Sequence, residues 1–201
     1  MPKEHFDTLK QAKKDKVLAG ATAEFSEYLL KDSSIVRITK RIGISRGSFY
    51  NYFHDIDDLY DYVLTENHMT FFMRLVNNVK DCDGNMRIGF AKTMDELVDL
   101  FKLGENSLIR NMFLNIDLSR IFSRSETHND EIRRQQIEHL STVINRDLYK
   151  LDDREFIDYL DMLYILMLNH IIKYLRDFTD YETLMIDFNR KLKLIDSIAI
   201  K

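Results

Sequence analysis

The chain is nearly free of residues that interrupt helices: it holds one proline, Pro2, and six glycines among 201 residues. Proline removes a backbone donor and glycine raises the entropy cost of ordering. A sequence this poor in both favours long helices and lacks the punctuation that a many-stranded β protein needs. Hydrophobic residues make up 45% and charged residues 31%, which supports a buried core and argues against disorder. The length suffices for one large domain, or for a small one and a larger one. Cys82 is the only cysteine, so no internal disulfide forms and a reducing, cytoplasmic setting is expected. Met1 to Lys16 is too polar for a signal peptide. The most apolar stretch, Leu160–Leu175, is interrupted by Asp161, Asn169, His170 and Lys173, so it reads as a buried helix rather than a membrane span.

Hydrophobic spacing then places the helices. Val17, Leu18, Ala21, Phe25, Tyr28 and Leu29 predict a helix over 11–30. Asp32-Ser33-Ser34 breaks it and offers an N-cap. Ile35, Ile38 and Ile42 share one face of a short second helix that Gly43 ends. Ser45 caps a third, Arg46 to about Phe53, with Phe49 and Phe53 on its inner face. Asp55 caps a long helix to about Lys80, with Asp57 and Asp58 in its first turn. Beyond the loop at 81–84, helices are expected over 85–102, 105–124 (one or two short ones), 127–150, 153–177 and 181–198. No segment alternates like a strand, and the fold class is all-α.

Two short helices joined at a glycine are the element richest in function. Ile44 plugs the corner and Ser45 starts the second helix, whose exposed beginning Ser-Arg-Gly-Ser suits a DNA major groove. Arg46 can pair with guanine through two hydrogen bonds. Gly47 lets the backbone approach closely. Ser48, Asn51 and Tyr52 carry hydrogen-bonding groups for phosphates, and the competing role of Tyr50 and Tyr52 is packing between the first and third helices. Charge supports this assignment. The net charge is −4, but residues 1–56 carry ten Lys or Arg against seven Asp or Glu, and the remainder 19 against 26. Lys31, Arg37, Lys40, Arg41 and Arg46 lie within 31–53 beside one acid, Asp32. Such a patch fits a phosphate backbone, although a solvated helix face would look alike.

The segment resembles the DNA-binding domain of the TetR family. Ala21 and Phe25, Ile38, the run Gly43-Ile44-Ser45-Arg46-Gly47-Ser48-Phe49-Tyr50-Asn51-Tyr52-Phe53, and Asp58-Leu59 follow that family's pattern over about residues 14–63. The resemblance implies a three-helix helix-turn-helix domain (1–56) and a larger helical effector-binding and dimerisation domain (57–201). It places Arg46, Gly47 and Tyr50 against bases. It places Ser34, Ser48, Asn51 and Tyr52 against phosphates, with Arg37 assisting. Three positions depart from the pattern: Ile56 stands where a phosphate-contacting lysine is usual, Leu29 where glycine is, and Thr39 where alanine is. The partners implied are a palindromic double-stranded DNA operator, a small-molecule effector that releases a repressor from it, and a second copy of the chain joined through about 153–177 and 181–198.

Within 64–201 the residues themselves identify no ligand. Phe71, Phe72, Phe90, Met94, Phe101, Met112 and Phe113 can line an apolar cavity or form plain core. His170 can face a ligand, sit at a dimer seam or be structural. His128, His139 and the acids lack metal-ligand spacing. No nucleophile has a positioned base and no glycine-rich phosphate loop occurs, so neither an enzyme nor a cofactor is expected. The rival to a DNA-binding regulator is a co-regulator of the same fold acting through protein contacts, with weak or no DNA binding.

Overall fold

The computed structural model describes residues 2–102, 104, 107–115, 126–177 and 180–201. In chain order the helices are α1 (Glu4–Asp7), α2 (Gln11–Glu27), α3 (Ile35–Ile42), α4 (Arg46–Tyr52), α5 (Ile56–Asp81), α6 (Met86–Lys102), α7 (Ser107–Leu114), α8 (Glu126–Ser141), α9 (Asp153–Asp177) and α10 (Tyr181–Ala199). Among the described residues, β pairing is limited to one isolated bridge between Tyr149 and Ile200. The all-α expectation therefore holds.

Two compact units emerge. The first is Met1–Thr70 with Asn106–Asn115, the second Phe71–Glu105 with Ile116–Lys201. Packing thus carries the first unit past residue 56, to the middle of α5, and folds α7 into it. The core of this unit gathers Phe6, Val17, Ala21, Phe25, Ile38, Ile42, Phe49, Phe53, Leu59, Val63 and Leu108. Most of these are the inward positions that helical spacing picks out along α2 to α5. Leu108 comes from α7, far along the chain.

α7 also explains why α2 stops at Glu27 and not at residue 30. A helix end leaves carbonyls without partners. The Asn111 side-chain amide donates to the Phe25 and Ser26 carbonyls at 2.9 and 3.0 Å. The chain then turns extended at Tyr28 and makes a 3-10 turn over Leu30–Asp32. Asn115 accepts from the Leu30 amide and donates to the Tyr60 hydroxyl.

In the second unit α9 and α10 pack as an antiparallel hairpin against which α6 lies. Their bounds agree with the 3.6-residue pattern almost to the residue. The helix expected over 127–150 differs, because α8 ends at Ser141. Asn145 instead pairs its amide with the Gly84 carbonyl and caps a short 3-10 turn, Arg146–Leu148. Tyr149 then bridges to Ile200, and its hydroxyl accepts from the Met86 amide at the start of α6. Buried Asp196 holds α10 to its neighbours, accepting from Tyr159 and Arg87 at 2.9 Å each. The expected helical segment 105–124 is described only over 107–115, which holds α7; positions 105, 106 and 116–124 lie outside the described residues.

Candidate nucleic-acid interface

The helix-turn-helix is α3, a three-residue link (Gly43, Ile44 and Ser45), and α4. Gly43 adopts φ 74° and ψ 40°, the left-handed conformation that glycine reaches without penalty. The Gly43 and Ile44 amides both bond back to the Thr39 carbonyl, closing the turn, and Ile44 packs on the core below. α3 also lies close on α2. A side chain at Gly20 would meet Ile42 at 2.7 Å.

Ser45 caps α4, as expected, by accepting from the Ser48 amide at 3.0 Å. Asp55 caps α5 by accepting from the Asp58 amide, and the Asp58 carboxylate accepts from the His54 amide. At Ser34 the structure differs from the sequence reading. Ser34 holds the N-cap position of α3 without a side-chain cap. Its amide donates instead to Glu24 of α2 at 2.9 Å.

Glu24 is the organising group that sequence reasoning missed. Its carboxylate is fully buried and pairs with Arg37 at 2.7 Å and with Arg41 at 3.5 Å. Arg37 also donates to the Asp32 carbonyl and lies over the Tyr28 ring at 4.0 Å. Arg41 pairs with Glu27. Hydrogen bonding to Glu24 and to Glu27 holds Arg37 and Arg41, respectively, more firmly protonated than usual. Two of the five cations in the expected basic patch are therefore neutralised within the fold. Arg37 fastens α3 to α2.

The other candidate residues lie on α4. Arg46, Gly47, Tyr50 and Asn51 are exposed, and Ser48 is half-buried. The Arg46 side chain makes no hydrogen bond or ion pair among the described residues. Tyr50 is 43% exposed, its ring edge-on to Phe49. A side chain at Gly47 would meet only the Ser45 hydroxyl, at 3.7 Å. The Ser48 hydroxyl is paired with that of Ser45. Tyr52 is buried, its ring against His5 and Phe6 and its hydroxyl accepting from Lys13 at 2.8 Å. Ile56 packs on the core.

The six residues considered for an effector pocket divide between the units. Phe90, Met94 and Phe101 are buried on α6, and His170 is buried on α9. His170 bonds the Leu166 carbonyl and Asp187. Met112 packs against the core of the first unit, where Phe113 is also buried. The side chain of Phe71 lies outside the described residues. Among the described residues the structure shows an open depression of about 540 Å³ along α10, lined by Tyr181, Glu182, Met185, Ile186 and Asn189. It contains none of the six. No helix among the described residues is long and apolar enough to cross a membrane.

Comparison with known proteins agrees with this architecture at both ends of the chain. Residues 17–63 match the bacterial regulatory proteins of the tetR family, and residues 85–197 match the tetracyclin repressor-like C-terminal domain. The TetR-family regulator of Pectobacterium atrosepticum is similar at 17% identity, over 96% of this chain and 99% of that one, with a TM-score of 0.66. A putative TetR-family regulator from Mesorhizobium loti gives 15%, 94%, 98% and 0.57 for the same measures. SmeT, the repressor of the Stenotrophomonas maltophilia multidrug efflux pump SmeDEF, gives 18%, 95%, 92% and 0.55. SmeT is also known in complex with triclosan. No curated protein matches the sequence significantly. The C-terminal match alone spans more than half of the chain, which belongs to the TetR family of transcriptional regulators.

Proposed function

We propose that the protein is a homodimeric DNA-binding repressor of the bacterial cytoplasm, released from a palindromic operator by a small molecule. The observation that carries this reading is the outer edge of α4. Arg46, Gly47 and Tyr50 stand exposed on a short helix whose other face is wholly buried, and the fold requires no glycine at 47. Arg46 and Tyr50 read base edges while Gly47 admits close approach. Ser34, Ser48, Asn51 and Tyr52 meet phosphates, and Arg37 contributes by holding α3 in place.

Residues 1–56 form the DNA-reading part, and 57–201 the effector and dimer part. Met162 and Ile165 on α9, and Ile186, Leu194 and Ile198 on α10, remain exposed on helices whose opposite faces are packed. Such a surface fits a second copy, and a two-fold dimer presents two recognition helices to symmetric half-sites. An apolar effector is accommodated on the α6 and α9 side chains Phe90, Met94, Phe101 and His170. It shifts the protein off DNA only by preferring the released geometry. That SmeT, of similar fold, is known in complex with triclosan supports this reading.

The test is selection of bound duplexes from genomic DNA, followed by affinity measurement at fixed salt. A shared palindrome is expected, and Arg46→Ala should weaken binding to it by about 1–3 kcal/mol. Recovery of no common sequence would favour a co-regulator working through protein contacts. An unchanged affinity would remove Arg46 as a base reader.

A further inference from the structure

The C-terminal end of α4 is enclosed by residues from the start of the chain. Phe6 is 1% exposed and packs against Tyr52, Phe53 and Tyr62 at ring separations of 5.0–5.9 Å. This anchors α1 against α4. The Lys3 amide donates to the Tyr52 carbonyl and the Lys3 ammonium to the Tyr50 carbonyl, both at 2.8 Å. From α2, the Lys13 ammonium donates to the Tyr52 hydroxyl at 2.8 Å and lies 5.3 Å from that ring's centre.

The polarity of this last bond matters. A hydroxyl that accepts from an ammonium keeps its own proton free to donate elsewhere, and the ammonium keeps two further N–H groups. The pair is therefore a neutral donor beside a cationic one, 2.8 Å apart. That arrangement matches two oxygens of one phosphate. Lys13 is exposed and has no carboxylate partner among the described residues, whereas Arg37 and Arg41 are consumed by Glu24 and Glu27. The uncancelled charge around α4 thus includes cations brought in from α1 and α2. At the start of α5, where the family's pattern carries a lysine, this chain has Ile56.

We infer that Lys13, acting with the Tyr52 hydroxyl, grips a DNA backbone phosphate at the C-terminal end of α4, with residues 3–7 holding the pair in position. The inference rests on the DNA-binding reading above. It is tested on the whole chain with two probes: a duplex selected by the native protein and a duplex of random sequence. Binding is measured across a salt series. Lys13→Gln should lower the magnitude of the log–log salt slope by about 0.9 per subunit and weaken both duplexes by roughly tenfold near physiological salt. Lys13→Arg should restore the slope. Tyr52→Phe should weaken binding while leaving the slope unchanged, since it removes no charge. A purely structural pair would alter the circular dichroism melt of Lys13→Gln and leave its salt slope native, which would overturn the inference. If Arg46→Ala weakens binding and Lys13→Gln does not change the slope, this clamp fails and the DNA-binding reading stands. If the native protein binds neither duplex, both fall together.

Discussion

Glycine 47 separates what the fold needs from what its ligand needs. It is the second residue of α4, and its φ is outside the left-handed region. A methyl group there would meet only the Ser45 hydroxyl, at 3.7 Å, an ordinary contact. Gly47→Ala should therefore stabilise the free protein. Alanine exceeds glycine in a helix interior by about 0.5–1 kcal/mol, and a first-turn position takes the lower end. A gain near 0.5 kcal/mol corresponds to a rise of about 1–2 °C in a chain of this size. DNA binding should move the other way. A methyl group forced into a close-packed contact costs about 1–3 kcal/mol, so affinity should fall by roughly five- to 150-fold. Gly20→Ala is the internal comparison, because its methyl would lie 2.7 Å from Ile42 within the packing of α3 on α2. That variant should lose about 1–3 kcal/mol of stability. Melts by far-UV circular dichroism at one protein concentration, and titrations of a selected duplex at one salt, give both quantities. A Gly47→Ala protein that melts higher and binds DNA as tightly as the native one would refute the close approach at Gly47.

Two further outcomes are expected. Ile186→Asp with Leu194→Asp, at positions 64% and 60% exposed on α10, should leave the circular dichroism spectrum native and convert a dimer to a monomer in sedimentation; an unchanged mass would place the dimer elsewhere. Hydrogen bonds from Lys191, then Arg190, and also from His170, hold Asp187 well below the usual carboxylate range against the opposing effect of burial. Because the folded-state pKa is depressed, the stabilisation is complete above the unfolded value of about 3.9 and is lost as pH falls through the folded value. The gap in melting temperature between native protein and Asp187→Asn should therefore be full at neutral pH and narrow below about pH 4; a gap that stays constant in acid would show that the carboxylate's charge contributes nothing.

How much of this was legible follows the range of each interaction. The turn at Gly43, the caps at Ser45 and Asp55, and the bounds of α9 and α10 depend on residues within a turn or two of one another. Periodicity and capping rules read such features directly. The end of α2 did not follow those rules. Val17 to Leu29 keep helical spacing, yet the helix closes at Glu27 under an amide from Asn111, more than eighty residues away. The end of α8 fails in the same way, since Ile144 and Leu148 keep the spacing while Asn145 pairs with Gly84.

The same distinction applies to charge at the proposed DNA-reading surface. Counting cations between residues 31 and 53 predicts a basic patch, but the count treats every arginine as free. Glu24 lies on the inner face of α2, four residues after Gly20 and beside Phe25, where spacing alone would assign an apolar side chain. Burying a carboxylate there is tolerable because Arg37, Arg41 and the Ser34 amide surround it, and a buried charge without such partners would be strongly unfavourable. The arginines that complete this group can no longer act as mobile phosphate ligands at no cost. Within 31–53 this leaves Lys31, Lys40 and Arg46 outside any ion pair among the described residues, and the proposed phosphate contact adds Lys13 from outside the motif. A local motif can locate the recognition helix, while the charge available to it is set by ion pairs that only the folded chain defines.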